Sequence, residues 1–164
     1  MQELSRTVGE KKWSEYLMRN YLFRGKKTTD GGWVCGGLVK DGDDAYIVKI
    51  SDKGIPIGHI VPEVKFEAWQ VKPETVGRFT GVRDRQGVDV YEGDIVDVCY
   101  DGNDTDEPCT GYVYWDNDWF ISFSESLKEC ERFDDADYLT TWGDSLRIMG
   151  NIFDEPELLK TAES

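Results

Sequence analysis

The sequence predicts a mainly β fold: an N-terminal antiparallel meander, a second β subdomain, and short helices at the N- and C-termini. Three observations carry this reading. Short apolar runs alternate at period two. Tetrads rich in Gly, Asp and Asn separate them at hairpin spacing. Residues 77 to 96, GRFTGVRDRQGVDVYEGDIV, place their glycines and acids where a strand, a tight turn, a second strand and a further turn need them.

Taken in order, residues 3 to 19 have Leu4, Val8, Tyr16 and Leu17 loosely at helical spacing, but Gly9 interrupts the pattern. Residues 1-20 are therefore read as an N-terminal arm. Residues 21-72 are read as the meander subdomain. In it Leu22 to Lys27 and Trp33 to Lys40 flank the loop Thr28-Thr29-Asp30-Gly31-Gly32, and Asp41-Gly42-Asp43-Asp44 turns the chain into Ala45 to Ile50. Ser51 to Gly58 reads as a connection, and Ile60 to Val71, with Pro62, Phe66 and Trp69, as a link between the halves. Composition shifts near Pro73, and residues 73-160 form the second subdomain, with 161-164 a tail.

That subdomain opens with a hairpin. Asp84-Arg85-Gln86-Gly87 separates two short strands, and Gly87 is the residue expected to take positive φ. Gly81, Gly93, Asp94 and Gly150 are further turn residues, with Asp94 expected to accept backbone N–H bonds ahead of Ile95 to Tyr100. Val96, Val98 and Tyr100 alternate onto one face. Gly111 to Trp115 and Trp119 to Phe123 bracket Asp116-Asn117-Asp118, with aromatics on both faces. Such a pattern means burial on both sides or an exposed binding platform. Leu146 to Ile152 supplies a closing strand, and Asp154 or Glu155 before Pro156 opens a short terminal helix.

The stretch from Val71 to Val96 resembles the signature of the YopX family of phage and prophage proteins. Met149-Gly150-Asn151-Ile152-Phe153, followed by Glu155 to Leu159, is similar to that family's closing motif, and Leu22 to Lys26 with Gly32 to Val39 to its opening hairpin. Two departures stand out: about twenty residues precede the opening hairpin, and the Asp-rich segment before Gly111 looks like an insertion. The resemblance implies a Src-homology-3-like β-barrel in the C-terminal half. It also implies an accessory protein in the cytoplasm of an infected or lysogenic bacterial host, from a family without an established activity.

Composition narrows the function classes. No apolar run approaches the roughly 20 residues of a membrane span, and the first twenty residues lack an apolar signal core, so a reducing cytosol is expected for the four cysteines. The formal net charge is −14, yet residues 1 to 27 are net +4, leaving −18 for the remainder. Between Asp101 and Asp137 lie twelve acids against Lys128 and Arg132. Phosphate repulsion argues against general nucleic-acid binding. The acids read as solvated loops, or as a face that imitates a nucleic acid and occupies a basic host protein. A basic end and an acidic body also invite homo-oligomerisation.

Catalytic motifs are sparse. There is no G-x-x-x-x-G-K-S/T phosphate loop, no G-x-G-x-x-G and no G-x-S-x-G elbow. His59, the one histidine, has no local partner, and Cys35, Cys99, Cys109 and Cys130 form no C-x-x-C pair. Asp101 to Tyr112 departs from a calcium loop at its sixth and twelfth positions, Asp106 and Tyr112. Asp134, Asp135 and Asp137 would bind a divalent ion only if folded together. The expectation is a non-enzyme with no cofactor and no metal; a metal-dependent hydrolase built on the acidic clusters, or a virion or assembly component, are the alternatives.

Binding is better supported by the residue types. Phe23, Arg24, Lys26 and Trp33 belong to the two strands of one hairpin, where aromatic faces beside cationic groups can stack a base and pair its phosphates. With Arg78 and Tyr91 they are the candidate ligand-binding residues, for a small nucleotide signal or a host protein in the countering of host defence. The competing reading makes Phe23 and Trp33 core and leaves the cations solvated.

Overall fold

In the computed structural model, residues 22–50, 66–98, 109–123, 136–142 and 145–159 are described. The chain is mainly β and divides into two units, Met1–Arg78 and Phe79–Ser164.

The first unit is a meander. β1 (Phe23–Lys26), β2 (Trp33–Asp41), β3 (Asp44–Ile50) and β4 (Phe66–Val71) pair antiparallel in succession. Gly31 (φ 72°) and Gly42 (φ 58°) lie at the two turns joining β1, β2 and β3. The register places Phe23, Val34, Leu38, Ala45, Ile47 and Val71 on one face, where Ala45, Ile47 and Val71 are buried and the others pack against them. The end of β1 also reaches β4: Lys27 bridges Val71, Lys72 N donates to Lys26 O at 2.9 Å, and Thr28 N donates to Gln70 O at 3.1 Å. The start of β1 pairs instead with β5 (Gly77–Arg83), Phe23 opposite Arg78 and Arg24 opposite Gly77. Between β4 and β5 a short 3-10 turn, Pro73–Thr75, is tied to β1 by the 2.9 Å bond from Lys26 N to the Thr75 hydroxyl.

The last six residues of the segment read from sequence as a link, Phe66–Val71, are thus strand β4. Pro62 made the whole run read as a link, and Phe66–Val71 is exposed for most of its length, so no half-buried alternation marked it as a strand.

In the second unit β5 continues and pairs with β6 (Asp89–Tyr91). Five strands then form an antiparallel sheet in the order β10-β9-β8-β7-β11. They are β7 (Asp94–Asp97), β8 (Thr110–Trp115), β9 (Trp119–Phe123), β10 (Ala136–Tyr138) and β11 (Arg147–Asn151). A short helix α1 (Leu139–Trp142) follows β10, and a 3-10 turn Pro156–Leu159 closes the described chain. The core joins Val90, Val96, Val98, Val113, Ile121, Phe123, Leu139 and Leu146.

Acids shape the bends, as the sequence indicated. Gly87 has φ 80°, and the Asp84 carboxylate accepts from Gln86 N and Val88 N, both at 2.9 Å, and from Ile148 N at 3.4 Å. Asp94 accepts from Tyr91 N at 2.8 Å around Gly93, whose φ of 81° suits glycine. Gly81 (φ 86°) lies within β5, where the β5–β6 register shifts, and not in a loop. Gly150 is a strand residue of β11 at a register shift; a Cβ there would lie 2.8 Å from the Glu155 carboxylate. Asn151 forms the terminal bend, its side-chain oxygen accepting from Phe153 N and Asp154 N at 3.0 Å each.

Candidate functional site

Cross-strand partners in an antiparallel pair share a face, so the register sorts the candidate residues. Arg24 lies opposite Cys35, and Lys26 opposite Trp33. These four residues are on the face of the first unit's sheet that does not carry the core. The Arg24 guanidinium carbon sits 4.8 Å from the centre of the Trp33 ring, within cation–π range. Arg24, Lys26 and Trp33 are each half-buried and Cys35 is exposed. Further along the same face come Val39, 50% exposed, and its partner Tyr46.

Three sequence-level candidates fall elsewhere. Phe23 points to the opposite face and packs against Ala45, Ile47 and Val71, because period-two alternation cannot place neighbours Phe23 and Arg24 together. Arg78 is exposed, but its pairing with Phe23 puts it out of register with Arg24. Tyr91 belongs to the second unit, where it is 6% exposed and packs on Phe79 at 5.6 Å between ring centres. Its ring is core, and its N–H serves the Asp94 turn. Cys35 was missed, although the alternation Trp33, Cys35, Gly37, Val39 would have placed it beside Trp33.

The acidic candidates divide in the same way. Asp134 and Asp135 lie outside the described residues, as do His59, Cys99, Cys130, the arm of residues 1-20, the tail of residues 161-164, and all of the Asp101–Tyr112 loop before Cys109. Asp137, on β10, accepts from Tyr138 N at 2.7 Å. Among the described residues no group of three His, Cys, Asp or Glu side chains is arranged to hold a metal ion, and no helix is long and apolar enough to cross a membrane. One buried acid escaped sequence reading: Asp97 on β7, which meets Arg147 of β11.

A family model described as YopX protein matches residues 22–160. The chain belongs to the YopX family. The match takes in residues of both units, the Arg24–Trp33 face among them. Among solved structures, this YopX-family chain is similar to protein EF1440 from Enterococcus faecalis. The identity is 19%, the TM-score 0.47, and the match covers 84% of this chain and 96% of that one. A search of the curated proteins gives no match.

Proposed function

We propose that this YopX-family chain is a non-enzymatic binding module whose ligand, a small nucleotide, docks on the outward face of the N-terminal sheet. The single observation behind the reading is the Arg24 guanidinium held 4.8 Å over Trp33, with Lys26 opposite that same tryptophan. A stacked guanidinium keeps its N–H fork free of rotamer search, so it meets a phosphate with less entropy loss than a solvated arginine does. The indole supplies a π surface for a base, and Lys26 a second positive charge. Arg24 and Lys26 are the phosphate partners in this reading, and Trp33 the stacking platform.

The setting proposed for this activity is the cytoplasm of an infected or lysogenic bacterium, where a phage or prophage accessory protein counters host defence by withdrawing a nucleotide signal. The second unit, with five antiparallel strands around one apolar core, is read as the Src-homology-3-like module, and the assembly as a homo-oligomer.

The test is to incubate the purified chain with cyclic and linear nucleotides and follow binding by calorimetry. At least one nucleotide should bind saturably, and Trp33→Ala and Arg24→Gln should each weaken it about tenfold, the order expected for a stacked base or a charged hydrogen bond. No retained nucleotide, undiminished binding in both variants, or magnesium-dependent turnover of the nucleotide would overturn the reading.

A further inference from the structure

The second unit carries a surface that the nucleotide reading leaves unused. Along β8 and β9, Val113, Ile121 and Phe123 turn into the core. The alternate residues face the other way: Tyr114 is paired with Phe120, and Phe120 with Tyr138. Their ring centres step 5.8 Å from Tyr112 to Tyr114, 5.8 Å from Tyr114 to Phe120 and 4.7 Å from Phe120 to Tyr138. One aromatic strip thus crosses three strands and ends on the edge strand β10, where Tyr138 is 51% exposed. Contiguous aromatic surface of this kind marks interaction sites, because tyrosine gives large contact area with little rotamer entropy to lose.

Charge selects the occupant. Thr110–Phe123 and Ala136–Trp142 contain Asp116, Asp118 and Asp137 and no Lys or Arg. Asp116 and Asp118 sit in the exposed turn at one end of the β8–β9 hairpin, whereas Asp137, opposite Ile121, lies on the core-facing side of the sheet. A phosphate-bearing ligand or an anionic lipid surface would be repelled. Guanidinium and ammonium groups are drawn by the carboxylates and by the negative faces of the rings together. Burial, then Tyr112 and then Asp116 raise the Tyr114 pKa above the usual 10, which puts the Asp116 carboxylate within electrostatic reach of the strip.

We propose that the Tyr112–Tyr114–Phe120–Tyr138 strip is a docking surface for an extended, arginine- or lysine-bearing polypeptide segment of a partner protein. Its cationic side chains lie on the rings, and the rim carboxylates of Asp116 and Asp118 take the charge.

The test uses the full chain and fluorescein-labelled octapeptides that alternate proline with arginine, lysine or glutamate, read by anisotropy. The arginine and lysine peptides should bind saturably and the glutamate peptide should not. Tyr138→Ser and Asp116→Asn should each weaken cationic-peptide binding about fivefold. Asp43→Asn removes the same charge from the turn after β2 and should leave affinity unchanged. Tyr138 is exposed, so its variant should keep the wild-type circular dichroism; if it does not, Asp116→Asn decides. The proposal is overturned if no cationic peptide saturates, if the glutamate peptide binds equally, or if Asp43→Asn weakens binding as much as Asp116→Asn, which would mean attraction to overall charge only.

Discussion

Arg147 Nη2 donates a 2.8 Å hydrogen bond to Oδ2 of Asp97, its register partner across β7 and β11, and the Asp97 side chain is fully buried while Arg147 remains partly solvated. A charge taken out of water on one side only makes the pair asymmetric: loss of the arginine strands a buried carboxylate, whereas loss of both charges removes the problem. Arg147→Met should therefore lower stability by about 3 kcal/mol or more. Asp97→Val combined with Arg147→Met should cost less than the single arginine change. Urea denaturation of the three proteins measures both, and a double variant worse than Arg147→Met would contradict the account.

Adjacent glycines in β2 should answer differently to the same substitution. Gly36 is buried, and a Cβ there would stand 2.4 Å from the Val48 carbonyl oxygen, which is backbone and cannot swing away. Gly37 faces outward, with that oxygen at an ordinary 3.7 Å. Gly36→Ala should cost about 3 kcal/mol or more through overpacking. Gly37→Ala should be neutral or stabilising by about 0.5 kcal/mol, since alanine loses less backbone freedom on folding. Thermal melts of the two variants separate the cases.

Asp84 holds the β5–β6 hairpin from the inside. Its carboxylate accepts from Gln86 N and Val88 N and reaches Ile148 N on β11, and the side chain is nearly buried. Asp84→Ala leaves those donors unsatisfied and should cost about 2 kcal/mol. Hydrogen exchange at the Gln86 and Val88 amides should accelerate in the variant; unchanged protection there would count against the assignment.

Asp30 offers a pH readout. The Lys27 ammonium 2.6 Å away and then the Gly32 N–H at 2.9 Å hold its carboxyl below the usual 3.8. A depressed folded value means that its contribution is complete above 3.8 and lost as pH falls through the lower folded value. NMR titration should find Asp30 below 3.8 in the native protein and closer to it in Lys27→Ala. Stability at neutral pH should barely move, because the pair is exposed.

Local chemistry was legible and long-range geometry was not. The hairpin around Gly87, the Asx-type use of Asp94 and the aromatic strands flanking Asn117 follow from turn residues and period-two alternation, which act over a few positions. β4 and β10 were missed. Ala136–Tyr138 is too short for any period to show, and Phe66–Val71 is exposed on both faces for most of its length, so the apolar alternation that marks a half-buried strand is absent. For the site, residue type pointed to Arg24, Lys26 and Trp33, which share a face. It also drew in Phe23 and Tyr91, whose rings the fold uses as interior. Asp97 reads like any acid of a turn-rich chain; only its partner, fifty residues on, distinguishes it.

β1 shares one edge between two strands, its start with β5 and its end with β4. No stretch of its backbone is therefore left as a template for a foreign strand, and that protection depends on segments some forty to fifty residues downstream. A nascent or proteolysed chain ending before Phe66 would display β1, β2 and β3 as a ribbon whose outer strands, β1 and β3, carry bare amides. Such a ribbon is prone to self-pairing into aggregates, so solubility in this fold arrives only once the fifth strand has emerged.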